Sequence, residues 1–493
     1  MRRAGILLHP TSLPGPHGMG DIGPGARRWL QWLESAGQTV WQVLPLNPVD
    51  GSGSPYASPS ALARNPLLLS LDDLVEDGWL TYREKPWTAG DPHRVDFAEI
   101  FHRRPEVIAK AANRVRTSVD LASWSGDREW ARDWGLFSAL IDAEGPDWRR
   151  WPEPLRNRDP AALAHARDRH AEPVEQHIAL QWLFDQQWAR LRAAAEHRGV
   201  EIWGDLPLFV SGGSCDVWAH RELFRLDEDG YPAALSGAPP DAFTELGQLW
   251  GHPLFDNHAH QASGFQWWTD RLGTLLELVH TVRLDHFRGL EAVWENDAEA
   301  EDARDGSWTP GLGAPLLEAF KDRFGRVPLI AEDLGIITPD VRALRDAYQL
   351  PGMAVLQFAF ARGDSATAAK NPYLPHNHRP NLVAYTGTHD NDTSVGWYLA
   401  SDEPTQDHVR TYLGTDGRNI EWALIRWAYR SVANTAVIPM QDILSLDGRA
   451  RMNVPGRARG NWSWRMGAEA LNLVLARKLR EESILSARVG LSP

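Results

Sequence analysis

The sequence contains a single cysteine, Cys215, among its 493 residues. One thiol cannot form an internal disulfide, which suits a reducing compartment. No stretch approaches the roughly 18 consecutive apolar residues that span a bilayer. The apolar segment after the first two arginines is too short for a signal peptide. These absences predict a cytoplasmic location.

Basic residues are also fewer than acidic ones. Lys and Arg number 51 against 65 Asp and Glu, which gives a formal net charge of −14. Such a balance argues against nucleic acid or an anionic membrane as a partner. The negative net charge is more consistent with a neutral ligand, or the excess of acidic residues only aids solubility.

The motifs that bind phosphates are missing. No P-loop pattern occurs, and no Gly-x-Gly-x-x-Gly follows a strand and opens a helix, so nucleotide cofactors are not expected. No Cys/His cluster occurs, and the acidic turn at 227–230 is too short for a calcium loop, so no metal is expected. Cys215 lacks a local His partner, which disfavours a catalytic thiol.

Tryptophan, by contrast, is abundant. There are 24 Trp but only 9 Tyr and 14 Phe. An indole offers a broad apolar face and one N–H donor, which suits both core packing and stacking on sugar rings. Core packing is the default for any one of them.

Short apolar runs recur along the chain, most of them ending in a polar residue. Eight such runs are predicted as buried strands: 4–8, 39–44, 201–205, 281–285, 328–332, 353–358, 381–385 and 435–439. Amphipathic segments between them predict helices at 26–36, 181–197, 265–279, 339–348 and 420–432. This alternation predicts an α/β fold, a (β/α)₈ TIM barrel, more than an open sheet.

Two long connections interrupt the alternation. About 150 residues separate the second and third runs, far beyond an ordinary αβ connection, which predicts an inserted helical subdomain at about 59–175. A Gly-, Pro- and Asp-rich connection at about 210–260 follows the third run, where a barrel places active-site loops. The whole of 1–493 is predicted to be one catalytic barrel with mainly helical insertions.

Carboxylates follow several of the predicted strands. They are Asp205, Asp285, Glu332, Asp333 and Asp390. Strand ends on one face of a barrel converge, and Arg283, two residues before Asp285, would favour its ionised form. An ionised Asp beside a carboxyl that keeps its proton is what retaining glycoside chemistry requires.

Structural roles are the alternative for some of these residues. Asp390 or Asp392 can be read as a helix N-cap. Asp333 and His286 point the other way along their strands and are equally consistent with structural or supporting roles.

Several segments in this order resemble the amylomaltases, also called 4-α-glucanotransferases or disproportionating enzymes, of glycoside hydrolase family 77. The matching segments are 5–14, 41–48, 54–56, 204–210, 237–253, 283–289, 331–335, 385–393, 453–456 and 462–464. Together they cover the chain almost from end to end.

The resemblance implies roles for the strand-end residues. Asp285 would be the nucleophile, Glu332 the general acid and base, and Asp390 the third carboxylate, bound to hydroxyls of the sugar in subsite −1. Arg283 and His389 would help to bind that sugar, and Asp205 would act as a positioning group.

The resemblance also implies residues that line the glucan path. Aromatic side chains expected there are Tyr56 near subsite −1, Trp250 at subsite +1, and Phe243. Polar or supporting positions are Ser54, Asp241, Gln248 and His286. Ala242 and the segment 49–54 lack aromatic residues that members often carry, which predicts weaker binding of long glucans and less formation of large cyclic products.

The function so implied is transfer of α-1,4-glucan segments between maltooligosaccharides by a retaining double displacement, with glucose or maltooligosaccharides as acceptors. The alternative within enzymes is a net α-1,4-glucan hydrolase of the α-amylase type. A non-catalytic glucan-binding protein is disfavoured because all three carboxylates are present. No metal or cofactor is implied, and a monomer or weak oligomer is expected.

Overall fold

The computed structural model describes residues 2–85, 90–240, 244–360, 368–457 and 459–489. Asp241 and Phe243, which the sequence predicts to bind substrate, lie outside these ranges, as does Ala242. None of the helices in the described ranges has the length and apolar character required to cross a lipid bilayer.

Twelve strands occur in the described residues. In chain order they are β1 (Arg3–Leu7), β2 (Val40–Gln42), β3 (Glu201–Leu206), β4 (Ala234–Ala238), β5 (Gln248–Pro253), β6 (Thr281–Leu284), β7 (Ala292–Asp297), β8 (Ser307–Pro310), β9 (Leu329–Ala331), β10 (Gly352–Val355), β11 (Leu382–Tyr385) and β12 (Thr435–Pro439).

Eight of these strands form a parallel sheet in the order β10-β11-β12-β1-β2-β3-β6-β9. Its two edges meet, because the amide of Ala331, the last residue of β9, donates to the Pro351 carbonyl just before β10 at 2.8 Å. All eight overlap the segments predicted as strands, none beginning or ending more than one residue outside them, and the predicted (β/α)₈ barrel is confirmed. Their residues are almost all buried, as expected for parallel strands covered by helices.

Helices surround the barrel. The longer ones among them are Pro24–Ser35, Ala171–Glu196, Gln266–Leu276, Gly313–Phe324, Pro339–Ala347, Glu403–Leu413, Ile420–Arg430 and Leu473–Leu485. Five agree with the helices predicted from amphipathic segments. Pro24–Ser35 begins with proline at its first position, where an N–H would have no partner within the helix. It buries Trp29 against Trp41 of β2, and Trp32, whose indole N–H donates to the Asn472 carbonyl at 3.0 Å.

The chain between β2 and β3 is helical. Its helices before Ala171–Glu196 are Leu71–Glu76, Phe97–Ser118, Leu121–Ser125, Glu129–Glu144, Glu153–Arg156 and Pro160–Arg169. Aspartates cap several of them: the Asp96 and Asp159 side chains accept from amides three residues later. The helices Pro160–Arg169 and Ala171–Glu196 are separated at His170.

A second sheet was not predicted from the sequence. Strands β4, β5, β7 and β8 form an antiparallel sheet in the order β5-β4-β7-β8. β5 carries Gln248 and Trp250, so part of the connection expected to be a loop is an ordered strand. β7 and β8 follow β6, so the connection after β3 and the connection after β6 each contribute two strands to this sheet. Short helices at Cys215–Ala219, Asn257–Ala262 and Arg288–Glu291 lie in these connections, and two further short helices, Ser394–Ala400 and Met440–Ile443, follow β11 and β12.

Candidate active site

Neighbouring barrel strands bring the predicted carboxylates together. Asp205 on β3 is paired in register with Arg283 on β6. Asp285 and Glu332 come directly after β6 and β9, which are themselves neighbours. Asp390 lies in the loop that follows β11. These groups therefore share the carboxyl-terminal end of the barrel, where barrel enzymes place their chemistry.

Arg283 links two of the carboxylates. Its Nη1 donates to both oxygens of Asp205 at 2.8 Å, and its Nη2 lies 3.0 Å from Oδ1 of Asp285. Burial alone would lower the pKa of Arg283, but the Asp205 and Asp285 carboxylates raise it well above its usual range. A permanent cation is thus fixed beside the Asp285 carboxyl group.

Tyr56 extends this network. Its hydroxyl donates to Asp205 Oδ2 at 2.6 Å, and its ring stacks on His389 with centroids 5.2 Å apart. Burial, reinforced by the Asp205 charge, raises the pKa of Tyr56 well above its usual range, so the phenol remains a donor. Trp462 packs beside both rings, with its centroid 5.7 Å from Tyr56 and 6.0 Å from His389.

Glu332 occupies a different environment. The backbone amide of His286 donates to Glu332 Oε2 at 2.7 Å. Burial raises the pKa of Glu332 to about 8; Asp285 adds to the rise, whereas Arg283 and the His286 amide oppose it. At neutral pH Glu332 therefore holds a proton beside an ion-paired Asp285.

Asp390 is held by two side chains. Asn453 Nδ2 donates to its Oδ1 at 2.6 Å, and His389 Nε2 lies 3.3 Å from its Oδ2. Arg451 Nη2 donates to the Asp390 carbonyl at 2.6 Å. Asn453 and Arg451 were not predicted to be functional, although 453–456 is among the segments that resemble the family.

The N-cap interpretation of this loop is wrong. The cap of Ser394–Ala400 is Thr393, whose side chain accepts from the Gly396 amide at 3.0 Å. Asp392 instead accepts from the Thr393 amide at 2.7 Å. Asp390 caps no helix among the described residues, and its carboxylate is partly exposed.

Asp333 and His286 have different contacts, although the sequence suggested similar roles for both. Asp333 is buried, paired with Arg345, and accepts from the Met353 amide at 2.7 Å, which are structural contacts. His286 has a positive φ of 52° and meets Trp250 edge to face, with ring centroids 4.7 Å apart. Burial lowers the pKa of His286 to about 4, so its ring is neutral.

The outer part of the site is built by β5 and by the loop after β2. Gln248 Oε1 accepts from Trp250 Nε1 at 3.1 Å, which fixes both side chains. Ser54 Oγ accepts from the Tyr56 amide at 3.3 Å. All the predicted site residues in the described ranges thus belong to one set of contacts around the barrel mouth: Ser54, Tyr56, Asp205, Gln248, Trp250, Arg283, Asp285, His286, Glu332, His389 and Asp390.

Known proteins resemble this chain over nearly its whole length. The 4-alpha-glucanotransferase family, glycoside hydrolase family 77, matches residues 8–470. The 4-alpha-glucanotransferase of Thermus thermophilus is 44% identical over 94% of this chain and 95% of its own. The chloroplastic/amyloplastic enzyme of Oryza sativa is 46% identical over 94% of this chain and 80% of its own.

Solved structures agree with these sequence matches. An amylomaltase from Streptococcus agalactiae, solved in complex with acarbose, superposes with a TM-score of 0.94 at 33% identity, covering 99% of this chain and 100% of its own. An amylomaltase from Corynebacterium glutamicum, at 18% identity and a TM-score of 0.74, covering 99% of this chain and 75% of its own, shares the fold. The chain belongs to the 4-α-glucanotransferases, the amylomaltase family of enzymes that transfer α-1,4-glucan segments.

Proposed function

We propose that the transfer proceeds as a retaining double displacement in which Asp285 is the nucleophile and Glu332 the general acid and base. One observation carries this proposal: an ion-paired Asp285 and a proton-holding Glu332 follow neighbouring strands of the same barrel end. Retaining enzymes need such a pair, with carboxyl groups roughly 5 to 6 Å apart.

The first step forms a covalent intermediate. A carboxylate oxygen of Asp285 attacks the anomeric carbon of the donor glucan and forms a β-glucosyl ester. The bond from that carbon to the glycosidic oxygen breaks, and Glu332 transfers its proton to this oxygen. The leaving glucan departs with a free 4-hydroxyl, and Glu332 is left ionised.

The second step reverses these roles. Ionised Glu332 takes the proton of an incoming 4-hydroxyl, whose oxygen attacks the anomeric carbon as the bond to Asp285 breaks. The α-linkage is regenerated, and Glu332 recovers its proton. Water in place of the sugar hydroxyl would give hydrolysis, so the identity of the acceptor separates the transferase from the alternative hydrolase.

The remaining polar groups position sugar and nucleophile. Asp390 and His389 would bind hydroxyls of the sugar in subsite −1. These hydrogen bonds would strengthen as positive charge develops on the sugar ring. Arg283 orients Asp285, while Asp205 and Tyr56 hold Arg283 from behind through the contacts given above. These fixed groups need no rearrangement at the moment of reaction.

The rim of the site would hold the glucan chain. Trp250, braced by Gln248 and His286, offers a platform for the acceptor in subsite +1. The expected glucan contacts of Ser54, Asp241 and Phe243 are part of the same proposal. A platform that keeps an acceptor sugar in place favours transfer over attack by water.

We place this activity in the cytoplasm, on maltooligosaccharides and α-1,4-glucans as donors. The buried cysteine Cys215 cannot form an internal disulfide, which is consistent with a reducing compartment. Fractionation of the native cells, with activity followed in each fraction, tests the location.

Incubation with maltotriose alone tests the reaction. Disproportionation yields glucose together with chains longer than maltotriose. Glucose and maltose without any longer chain would identify the hydrolase, and unchanged maltotriose a binding protein.

The nucleophile is tested by Asp285→Asn. The variant should lose turnover by at least about 10⁴-fold while retaining its fold and oligosaccharide binding, because the amide can neither attack nor carry the charge. Asp416→Asn, at an exposed loop aspartate, is the matched control and should keep normal turnover. A folded Asp285→Asn variant with a near-normal rate would refute the assignment.

A further inference from the structure

The helix Leu473–Leu485 carries an uncovered apolar face. Eleven large hydrophobic side chains are exposed among the described residues, and four of them belong to this one helix: Leu473 at 61%, Val474 at 78%, Ile484 at 57% and Leu485 at 77%. The opposite face of the helix buries Ala476, Leu479 and Ser483 against the rest of the protein.

The four residues form a single stripe. At 100° per residue they fall within an arc of about 120°, apolar at both ends of a helix about 20 Å long. Arg477 and Glu481 lie inside the same arc, between the two apolar ends. Neither side chain forms an ion pair with any residue that the structure describes, although both are exposed.

The stripe is complementary to itself. Positions equally distant from Leu479 carry matching residues: Leu473 with Leu485, Val474 with Ile484, and Arg477 with Glu481. Two copies of the helix, antiparallel about a two-fold axis at Leu479, would place apolar against apolar residues at each end. They would also form two Arg477–Glu481 pairs between the copies.

The flanking cations do not oppose this arrangement. Lys478 and Arg480 border the stripe, and both are turned toward their own subunit. Lys478 Nζ lies 3.5 Å from the ring centroid of Trp422, and Arg480 Nη1 donates to the Glu34 carbonyl at 3.2 Å. The like charges at 478 and 480 are therefore held apart from the two-fold contact.

We propose that the protein self-associates through this stripe into a symmetric antiparallel dimer. The helix belongs to the outer ring around the barrel and packs on Pro24–Ser35 and Ile420–Arg430. One helix from each subunit covers less than the roughly 1,600 Å² of a standard interface, so the dimer is weak and depends on concentration.

Charge reversal tests the pairing in the full-length protein. Sedimentation velocity from micromolar to hundreds of micromolar should show a monomer–dimer equilibrium for the wild type. Arg477→Glu and Glu481→Arg should each weaken dimerisation roughly tenfold, because the two-fold axis turns one change into two repulsive contacts. The double variant Arg477→Glu/Glu481→Arg should restore it, and maltotriose turnover should stay unchanged throughout.

Cysteine cross-linking tests the register independently. Leu473→Cys and Leu485→Cys together should give a covalent dimer on oxidation, since Cys215 is buried and the two new positions lie about 18 Å apart within one helix. Each single variant should remain uncross-linked. A wild type that is monomeric at every concentration would overturn the proposal. Dimerisation that is unaffected by either charge reversal would overturn it as well.

Discussion

At the residue scale, Glu332 is defined by what surrounds it. Its carboxyl sits in a buried position where ionisation would add a second negative charge beside Asp285, and Arg283 only partly offsets this. The pKa of about 8 follows from that balance. A proton donor is therefore present at neutral pH, when an ordinary glutamate would be ionised.

The pH dependence of catalysis follows directly. We expect kcat/KM for maltotriose to fall as the pH rises through about 8, because the free enzyme must enter the first step with Glu332 protonated. Initial rates from pH 5 to pH 10 provide the measurement. A profile that stays flat up to pH 10 would contradict the assignment of Glu332 as the acid.

The same pKa has a consequence for stability. The folded pKa of Glu332 lies above the usual carboxyl value of 4.5, so the folded state holds its proton more tightly than the unfolded chain. Protonated Glu332 makes its full contribution to the free energy of unfolding below about pH 4.5, and this contribution is lost as the pH rises through about 8. Glu332→Gln, a neutral isostere, should match the wild-type Tm at pH 4 and exceed it at pH 9, in addition to losing turnover.

Asn453 is expected to position Asp390. Asn453→Ala removes the 2.6 Å hydrogen bond and frees one carboxylate oxygen to rotate. We expect kcat/KM to fall about 10- to 100-fold, with the larger part of the loss in kcat, because a small misplacement acts mainly on the transition state. Unchanged kcat with a raised KM would instead assign Asn453 to substrate binding alone.

At the element scale, close packing between β1 and β2 limits side-chain size. A Cβ on Gly5 would lie 2.5 Å from Val40 Cβ and 2.7 Å from its carbonyl oxygen. Gly5→Ala should lower the free energy of unfolding by about 1–3 kcal/mol through overpacking. The control is Gly213→Ala, where nothing lies within 4 Å of the added carbon. Thermal unfolding of the two variants should separate clearly.

The antiparallel sheet carries Trp250, the proposed platform for the acceptor sugar. Trp250→Ala on β5 should raise the ratio of hydrolysis to transfer, because an acceptor sugar that is held less firmly competes less well with water. Products from maltotriose, separated by chromatography, give the ratio. Trp308→Ala on β8 is the comparison: it removes an exposed ring of the same sheet that packs on Arg288, and should change the ratio less.

Local sequence patterns were sufficient for the barrel strands and insufficient for this second sheet. Each barrel strand is a continuous buried run, which is visible in the sequence alone. β5 is half-exposed and contains glycine and proline, and β4 pairs with β7, about 60 residues away. No short-range pattern specifies such a pairing.

The site divides in a similar way. The positions of Asp285 and Glu332 at the barrel mouth were predictable because each directly follows a buried run, where an unpaired carboxylate is costly. Asn453 was not predictable in the same manner, since it acts on a residue 63 positions earlier across two loops. Only the folded chain brings the segment after β12 back to the loop after β11.

At the scale of the whole molecule, one buried cation joins distant parts of the chain. Arg488 is fully buried and donates to backbone carbonyls alone. Its acceptors are Arg3, Ala428, Tyr429, Ser431, Ala433 and Asn434. It thereby satisfies the carboxyl end of the helix Ile420–Arg430 and fixes the start of β1.

Removal of this cation should destabilise the barrel. Arg488→Met leaves buried carbonyls without donors, and we expect the free energy of unfolding to drop by about 3 kcal/mol or more. Arg418→Met, at an exposed arginine, should change it by less than about 0.5 kcal/mol. Chemical denaturation with matched m-values gives both numbers, and equal midpoints would disprove the role of Arg488.

The pairing of β1 with β12 affects how the chain folds during its synthesis. Arg3 lies in register with Thr435, a separation of about 430 residues, which a ribosome covers in roughly 20 to 90 s. Throughout that interval one edge of β1 lacks its partner strand, and an unpaired edge is prone to pair with other chains. Slower translation therefore lengthens the exposure of β1, and the yield of soluble enzyme should depend on the speed of synthesis and on chaperones that cover this edge.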